Sequence, residues 1–329
     1  MLVIVAHHYV VNSGLLNMIN ESESLGFNDI FLLLFGWGGK TAINCFVLIT
    51  GYFMCTSRIT LKKYIKLLGA RYFYAITIFA IFLISGYSAF GVKGFLRVIF
   101  PFFSVKDGFT PCFLLFYLFI SFLNKFIDVI TEKEHLLLLT LCLGIYTFLP
   151  SFAKANVTFN YVTWFIVIYF IASYLRLYPK IWFANTRLWG ILTIGCLGFS
   201  WGSVVGMEWL CRKWRFEASS YFFVSDSNKI LAVVTAVCAF MFFKNIKIGQ
   251  SKFINTVAAS TFGVLMIHAN SDTMRQWLWG DILRNTEFYS SSWLVLHAFL
   301  SVTGVYIICT VIDQLRIRFI ETPVLKKIK

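Results

Sequence analysis

Long apolar stretches of about sixteen to twenty-five residues recur along the chain between short polar loops, and they constrain its fold more than any other feature. An α-helix needs about 20 such residues to cross roughly 30 Å of hydrocarbon at 1.5 Å per residue. Inside lipid every backbone N–H and C=O must find a partner within the protein, which leaves helices or a closed barrel. Barrel strands alternate apolar and polar residues over about ten positions. Runs such as 72–85 and 231–243 are apolar on every side, so helices are expected. Of the 329 residues 59% are apolar and only 13% charged, where a soluble domain carries about a quarter. No soluble core of this size could hide that surface.

The pattern predicts an all-α polytopic protein with about ten transmembrane helices, near 1–12, 31–56, 70–90, 110–127, 136–150, 160–178, 188–206, 229–243, 256–270 and 293–312. The loops between them alternate in charge. One side holds 18 Lys and Arg against five acids, in 58–71, around Lys125, Lys180 and Lys247, and in the C-terminal tail. The opposite side holds nine against ten. The positive-inside rule makes the first side cytoplasmic and places both termini there. The net charge of +14 is therefore topological and does not point to nucleic acid. Residues 1–11 make only about 16 Å of helix, half a bilayer, with no cationic residue ahead of them to mark a signal peptide. The expectation is a first helix truncated at its N-terminal end, with the true start upstream of Met1. With no linker, low-complexity tract or internal repeat, 1–329 reads as a single membrane domain.

Polar groups inside hydrocarbon are costly, so those that persist are the first candidates for function. His7 and His8 lie in LVIVAHHYV; adjacent residues point about 100° apart on a helix, so one of the two should face the bundle interior. A neutral imidazole can take a proton from a hydroxyl near pH 7, although a lone intramembrane His can equally serve as a structural hydrogen-bond partner. In the second expected span, which carries GGKTAINCFVLITGYFM, Gly36, Lys40, Asn44 and Gly51 share one helix face, a small and polar stripe that most often means close helix packing. Lys40 sits where its ammonium could snorkel outward. STFGVLMIHAN, residues 260–270, carries His268 and Asn270 at the outer end of a span, followed by Arg275 and Trp279. The remaining His135 and His297 read as structural.

The longest outer loops, 13–30, 91–109, 207–228 and 271–292, are rich in Trp, Tyr, Ser and Asn and could cap an outward-facing cavity. An interfacial aromatic belt explains their Trp residues as well as sugar stacking does. Eight scattered cysteines without a CxxC pair indicate buried small hydrophobes and no metal site. There is no Walker loop, GxGxxG, HExxH or pair of intramembrane carboxylates, and none of the fifteen acids is central to an expected span, which speaks against a proton-coupled pump.

Taken together, these motifs resemble the acyltransferase family 3, membrane O-acyltransferases of bacteria that include acetylators of surface polysaccharides. IVAHHYV is similar to that family's histidine-bearing first helix, and NCFVLITGYFM to its second-helix motif. FISFLNKFI (119–127) resembles its fourth-helix exit with Ser121 in place of a common proline. STFGVLMIHAN with Arg275 and Trp279 resembles a late helix motif with Leu265 for a usual tyrosine, and IETPVLKKI (320–328) resembles the family's tail. The likeness runs in order along the whole chain. It implies a multi-pass protein of the bacterial plasma membrane that moves an acetyl group from cytoplasmic acetyl-CoA, a co-substrate and not a bound cofactor, to a hydroxyl of a surface glycan or lipid-linked saccharide. It also implies His8, with His7 as the alternative, as the catalytic residue. The basic residues of 58–71, Arg71 and Lys66 among them, would hold the CoA phosphates, and Asn44, Gly51 and Tyr52 would line the acyl path. His268, Asn270, Arg275 and Lys40 would lie on the acceptor side. The family's first helix carries an Arg ten intervening residues before its His, which counted from His8 falls ahead of Met1. The competing class is a sugar-lipid flippase or polysaccharide exporter, which would share the aromatic outer loops and have no use for an acetyl-CoA site.

Overall fold

The computed structural model describes residues 1–105, 108–153, 157, 160–215 and 217–327, and every regular element among them is helical. Lys106, Asp107 and Lys154, counted on the less basic side, and Ile328 and Lys329 of the tail lie outside the described residues. In chain order the α-helices are α1 (Leu2–Val11), α2 (Leu15–Glu21), α3 (Phe27–Gly36), α4 (Gly39–Met54), α5 (Leu61–Ile84), α6 (Val92–Ile99), α7 (Phe109–Ile127), α8 (Glu132–Leu143) and α9 (Leu149–Phe152). They continue with α10 (Tyr161–Leu177), α11 (Thr186–Trp214), α12 (Ile230–Asn245), α13 (Lys252–Ala259), α14 (Thr261–His268), α15 (Asp272–Arg275), α16 (Leu294–Arg316) and α17 (Thr322–Lys327).

Among the described residues, six helical stretches are long and apolar enough to cross a membrane: Phe27–Met54, Leu61–Ile84, Phe109–Ile127, Glu132–Phe152, Thr186–Trp214 and Leu294–Lys327. The pair α1 and α2, bent by 53°, makes a seventh if it is one span, and α10 and α12 are apolar but shorter. Large apolar side chains such as Ile84, Ile194, Phe199 and Leu300 are exposed on these helices, as a lipid-facing surface requires.

Helix ends follow local chemistry and move several expected boundaries. The Thr60 side chain accepts from the Lys63 N–H, so α5 starts at Leu61, and Lys62, Lys63, Lys66 and Arg71 are helical instead of occupying the expected 58–71 loop. Thr131 and Glu134 form a reciprocal capping box that starts α8. Helix α11 runs to Trp214, well past the expected end at 206. Glu208, buried at that point, is neutralised one turn on by Arg212 at 2.5 Å and accepts from Ser220 at 2.5 Å. Helix α16 continues beyond the expected end at 312 for a like reason, because Asp313 pairs with Arg316.

The chain divides into two compact units. The first gathers residues 1–36, 60–114 and 249–329, where α1 packs on α3 and α16, and α14 on α16 and α5. Val5, Tyr9, Val10, Leu32, Leu33 and Trp279 are among its fully buried side chains. The second gathers 37–59 and 115–248, where α4 packs against α10 and α12, and α11 against α12. Gly51 lets α4 approach α10 closely: a Cβ there would lie 2.9 Å from Ala172 Cβ and 3.2 Å from the Tyr169 Cα.

Candidate functional site

The first unit brings two of the flagged histidines into contact across 260 residues of sequence. Helix α1 presents His8 to α14, where His8 Nδ1 lies 3.0 Å from His268 Nε2. His268 is fully buried, and its Nδ1 is 2.6 Å from the Val264 carbonyl oxygen one turn earlier. A carbonyl only accepts, so His268 Nδ1 carries the proton and its Nε2 offers a lone pair. That lone pair takes the Nδ1–H of His8, and in the neutral imidazole the basic lone pair of His8 then belongs to Nε2. His7 is turned elsewhere: its Nδ1 lies 2.5 Å from the Gly36 carbonyl oxygen and ties α1 to α3. The 100° offset thus separates a histidine that joins helices from one that meets a second imidazole.

Around this pair lies a shell of aromatic and amide groups. Tyr9, fully buried, pairs through its hydroxyl with His297 Nδ1 at 2.8 Å, and His297 is stacked on Phe288 at 3.8 Å. Trp279 meets Tyr9 and His268 edge-on at 6.0 and 6.5 Å between ring centroids. Asn285 Nδ2 donates to the Tyr9 carbonyl at 3.0 Å, satisfying a terminal carbonyl of α1. Trp279 Nε1, Asn285 Oδ1, Asn12 Nδ2 and Arg275 Nε are buried without a protein partner. Such atoms are uncommon in folded proteins, and others, among them Thr41 Oγ1, His135 Nδ1 and Ser227 Oγ, lie in the second unit.

The other expected acceptor-side residues of this unit make local bonds. Asn270 Nδ2 donates to the Met266 carbonyl at 3.0 Å, and Arg275 pairs with Asp272 at 2.7 Å. Of the expected phosphate ligands, Arg71 donates to the carbonyls of Val98 and Arg97, closing the end of α6. Lys66 lies 3.0 Å from Glu321 in the tail. That tail forms a buried ionic knot which sequence reasoning missed. Asp313 accepts from Tyr74 OH at 2.7 Å and from Arg316 Nε at 2.9 Å, while Arg316 Nη1 reaches Glu321 at 2.8 Å.

Lys40, Asn44, Gly51 and Tyr52 belong to the second unit, on α4. Lys40 donates to Tyr161 OH at 2.6 Å and lies 3.5 Å from Asp226. Asn44, fully buried, donates to the Ser227 carbonyl at 2.7 Å and accepts from Trp164 Nε1 at 2.9 Å. Tyr52 OH accepts from Arg176 at 3.2 Å. Asn124, within the motif at 119–127, donates to the carbonyls of Met54 and Ser57 at 3.1 Å each and so closes the C-terminal end of α4.

Chemically, the His8–His268 pair is two imidazoles joined by one hydrogen bond, with the rings of Tyr9 and Trp279 alongside. Among the described residues no three or more His, Cys, Asp or Glu side chains are grouped to hold a metal ion. Comparison of the chain with protein-family models, with curated proteins and with solved structures finds no match.

Proposed function

We propose that this chain is a membrane O-acetyltransferase in which His8 acts on an acceptor hydroxyl. The observation that carries the reading is the hydrogen bond from His8 Nδ1 to His268 Nε2, with His268 itself fixed by the Val264 carbonyl. This chain of bonds assigns the basic lone pair of His8 to Nε2, the state a general base needs. In the proposed step that lone pair takes the acceptor's hydroxyl proton as its oxygen attacks the thioester carbonyl of acetyl-CoA. The C–S bond then breaks, and the proton passes to the departing thiolate. Arg71 and Lys66 would exchange their present partners for the CoA phosphates, a match of cationic donors to anionic oxygens. The chain would cross a bacterial plasma membrane ten times with both termini inside: the six long helices, the bent α1–α2 pair, α10, α12, and α13 with α14. The acceptor would be a surface glycan or a lipid-linked saccharide.

A second reading, a polysaccharide exporter or sugar-lipid flippase, draws on Asp313. This acid is fully buried in the long apolar α16, the kind of group that coupled transport employs. One experiment separates the two. Purified protein in lipid nanodiscs is heated with and without saturating CoA, and turnover of radiolabelled acetyl-CoA is followed. Acetyl transfer requires a CoA-dependent rise in melting temperature and loss of turnover in His8→Ala with the melting temperature of the unliganded protein kept. No shift with CoA sinks the acetyltransferase reading and favours transport.

A further inference from the structure

Arg316 and Glu321 lie five residues apart, a spacing that on an α-helix sets side chains about 140° from each other. They meet because the chain leaves α16 through a single π-helical turn, Ile317–Glu321, before α17 begins. The wider i→i+5 turn brings the Glu321 carboxylate round to α5, with one oxygen 2.8 Å from Arg316 Nη1 and the other 3.0 Å from Lys66 Nζ. We infer that Glu321 is a displaceable plug: its carboxylate keeps the Lys66–Arg316 pair closed, and an incoming phosphate group takes its place while the segment after α16 swings clear.

Burial and charge give the exchange its direction. The Arg316 and Glu321 side chains are each 7% exposed, but that of Lys66 is 49% exposed, so an anion reaches the pair through Lys66. Lys62 and Lys63, one turn earlier on α5, add positive charge along that approach. Arg316 does not follow the departing carboxylate, because its Nε stays 2.9 Å from Asp313, which is itself held by the Tyr74 hydroxyl. Its Nη1 is then left buried and needs another anionic acceptor. A phosphate group, with three strong acceptor oxygens and up to two charges, can bridge the ammonium and the guanidinium as the carboxylate does. The π turn gives the plug two positions. Once the ion pairs that hold it are gone, relaxation to α-helix carries residue 321 away from Arg316, and the plug no longer competes for the filled site. The inference rests on the acetyl-transfer reading only in making CoA the carrier of that phosphate; the plug itself needs no acetyl chemistry.

The test uses the full chain in phosphatidylcholine nanodiscs at constant ionic strength, with inorganic pyrophosphate as the probe. Amide hydrogen exchange across residues 317–327 should rise about tenfold or more at saturating pyrophosphate in the wild type. Glu321→Gln, which keeps the shape and removes the charge, should show the faster exchange without any ligand and bind pyrophosphate about tenfold more tightly than the wild type. Lys66→Gln should weaken binding in either background. The inference is overturned if pyrophosphate leaves exchange at 317–327 unchanged in the wild type, or if Glu321→Gln binds it no more tightly. It is also overturned if phosphatidylglycerol in the disc raises that exchange and pyrophosphate does not, since the anion is then a lipid headgroup. Opening by pyrophosphate with no binding of CoA would keep the plug and remove acetyl transfer. CoA binding of equal strength in the wild type and Glu321→Gln, with exchange at 317–327 unmoved, would keep acetyl transfer and remove the plug.

Discussion

Gly263 offers the sharpest test of the packing around the histidine pair. A Cβ built there would lie 2.6 Å from Asp313 Oδ2 and closer still to Cγ and Oδ1. The carboxyl has little room to retreat, because its side chain is 1% exposed and anchored by Tyr74 and by Arg316. In Gly263→Ala, either α14 moves away from α16 or the carboxyl moves and breaks a buried ion pair. Over-packing alone costs about 1–3 kcal/mol, and separating one partner of a buried pair about 3–5 kcal/mol. Arg316 would keep Glu321 at 2.8 Å, so the expected loss is about 3 kcal/mol. That is a large fraction of the roughly 5–15 kcal/mol typical of folded proteins. The measurement is denaturant unfolding of purified protein with linear extrapolation, run as a double-mutant cycle with Asp313→Ala. Asp313→Ala alone should be costly, but adding Gly263→Ala to it should cost less than about 1 kcal/mol, since the clash is gone. Additive losses, or a Gly263→Ala cost below about 1 kcal/mol in the wild-type background, would refute the reasoning.

Two further outcomes follow from the hydrogen bonds. His268→Ala removes the acceptor that holds the His8 proton on Nδ1; acetyl transfer should fall by about 10²–10⁴-fold, the range associated with a positioned acid or base, and His268→Gln should restore part of it through its amide oxygen. Equal activity in the wild type and His268→Ala would remove the pair from the mechanism. Asn44→Leu strands the Trp164 N–H and the Ser227 carbonyl in a buried setting and should cost about 2–5 kcal/mol in the same unfolding assay, against a smaller loss for Trp164→Phe; the reverse order would contradict the assigned partners.

The helical membrane architecture could be read from the sequence because its cause is local: runs of apolar residues need no distant partner to declare themselves. The exceptions are places where distant or opposite charges meet. Asp313 looked like the first polar residue after a span, but Arg316 one turn on and Tyr74 from α5 let the helix continue through it. Lys62, Lys63 and Lys66 looked like a loop, although Thr60 supplied a helix start that the run of charges obscured. The candidate site was half visible. His8 and His268 each stood out as polar groups in hydrocarbon, but nothing in either segment announces the other. Tyr9 and Asn285 carried no signal at all, and His297 read only as structural, since a tyrosine, an amide and an imidazole beside an aromatic loop are ordinary at a membrane interface. Gly51 declared a close helix approach, and that is what α10 makes of it.

The scattered origin of the first unit has a consequence for how the protein is made. Its segments 1–36, 60–114 and 249–329 leave the ribosome far apart in time. At about 5–20 residues per second, His268 follows His8 after roughly 13–50 s. During that wait α1 must reside in the bilayer or the insertion machinery with its imidazole lacking the partner it later acquires. A chaperone or translocon that shelters polar helices would therefore limit the yield of active protein, and substitutions at His8 should change the lifetime of that nascent intermediate before they change anything in the finished fold.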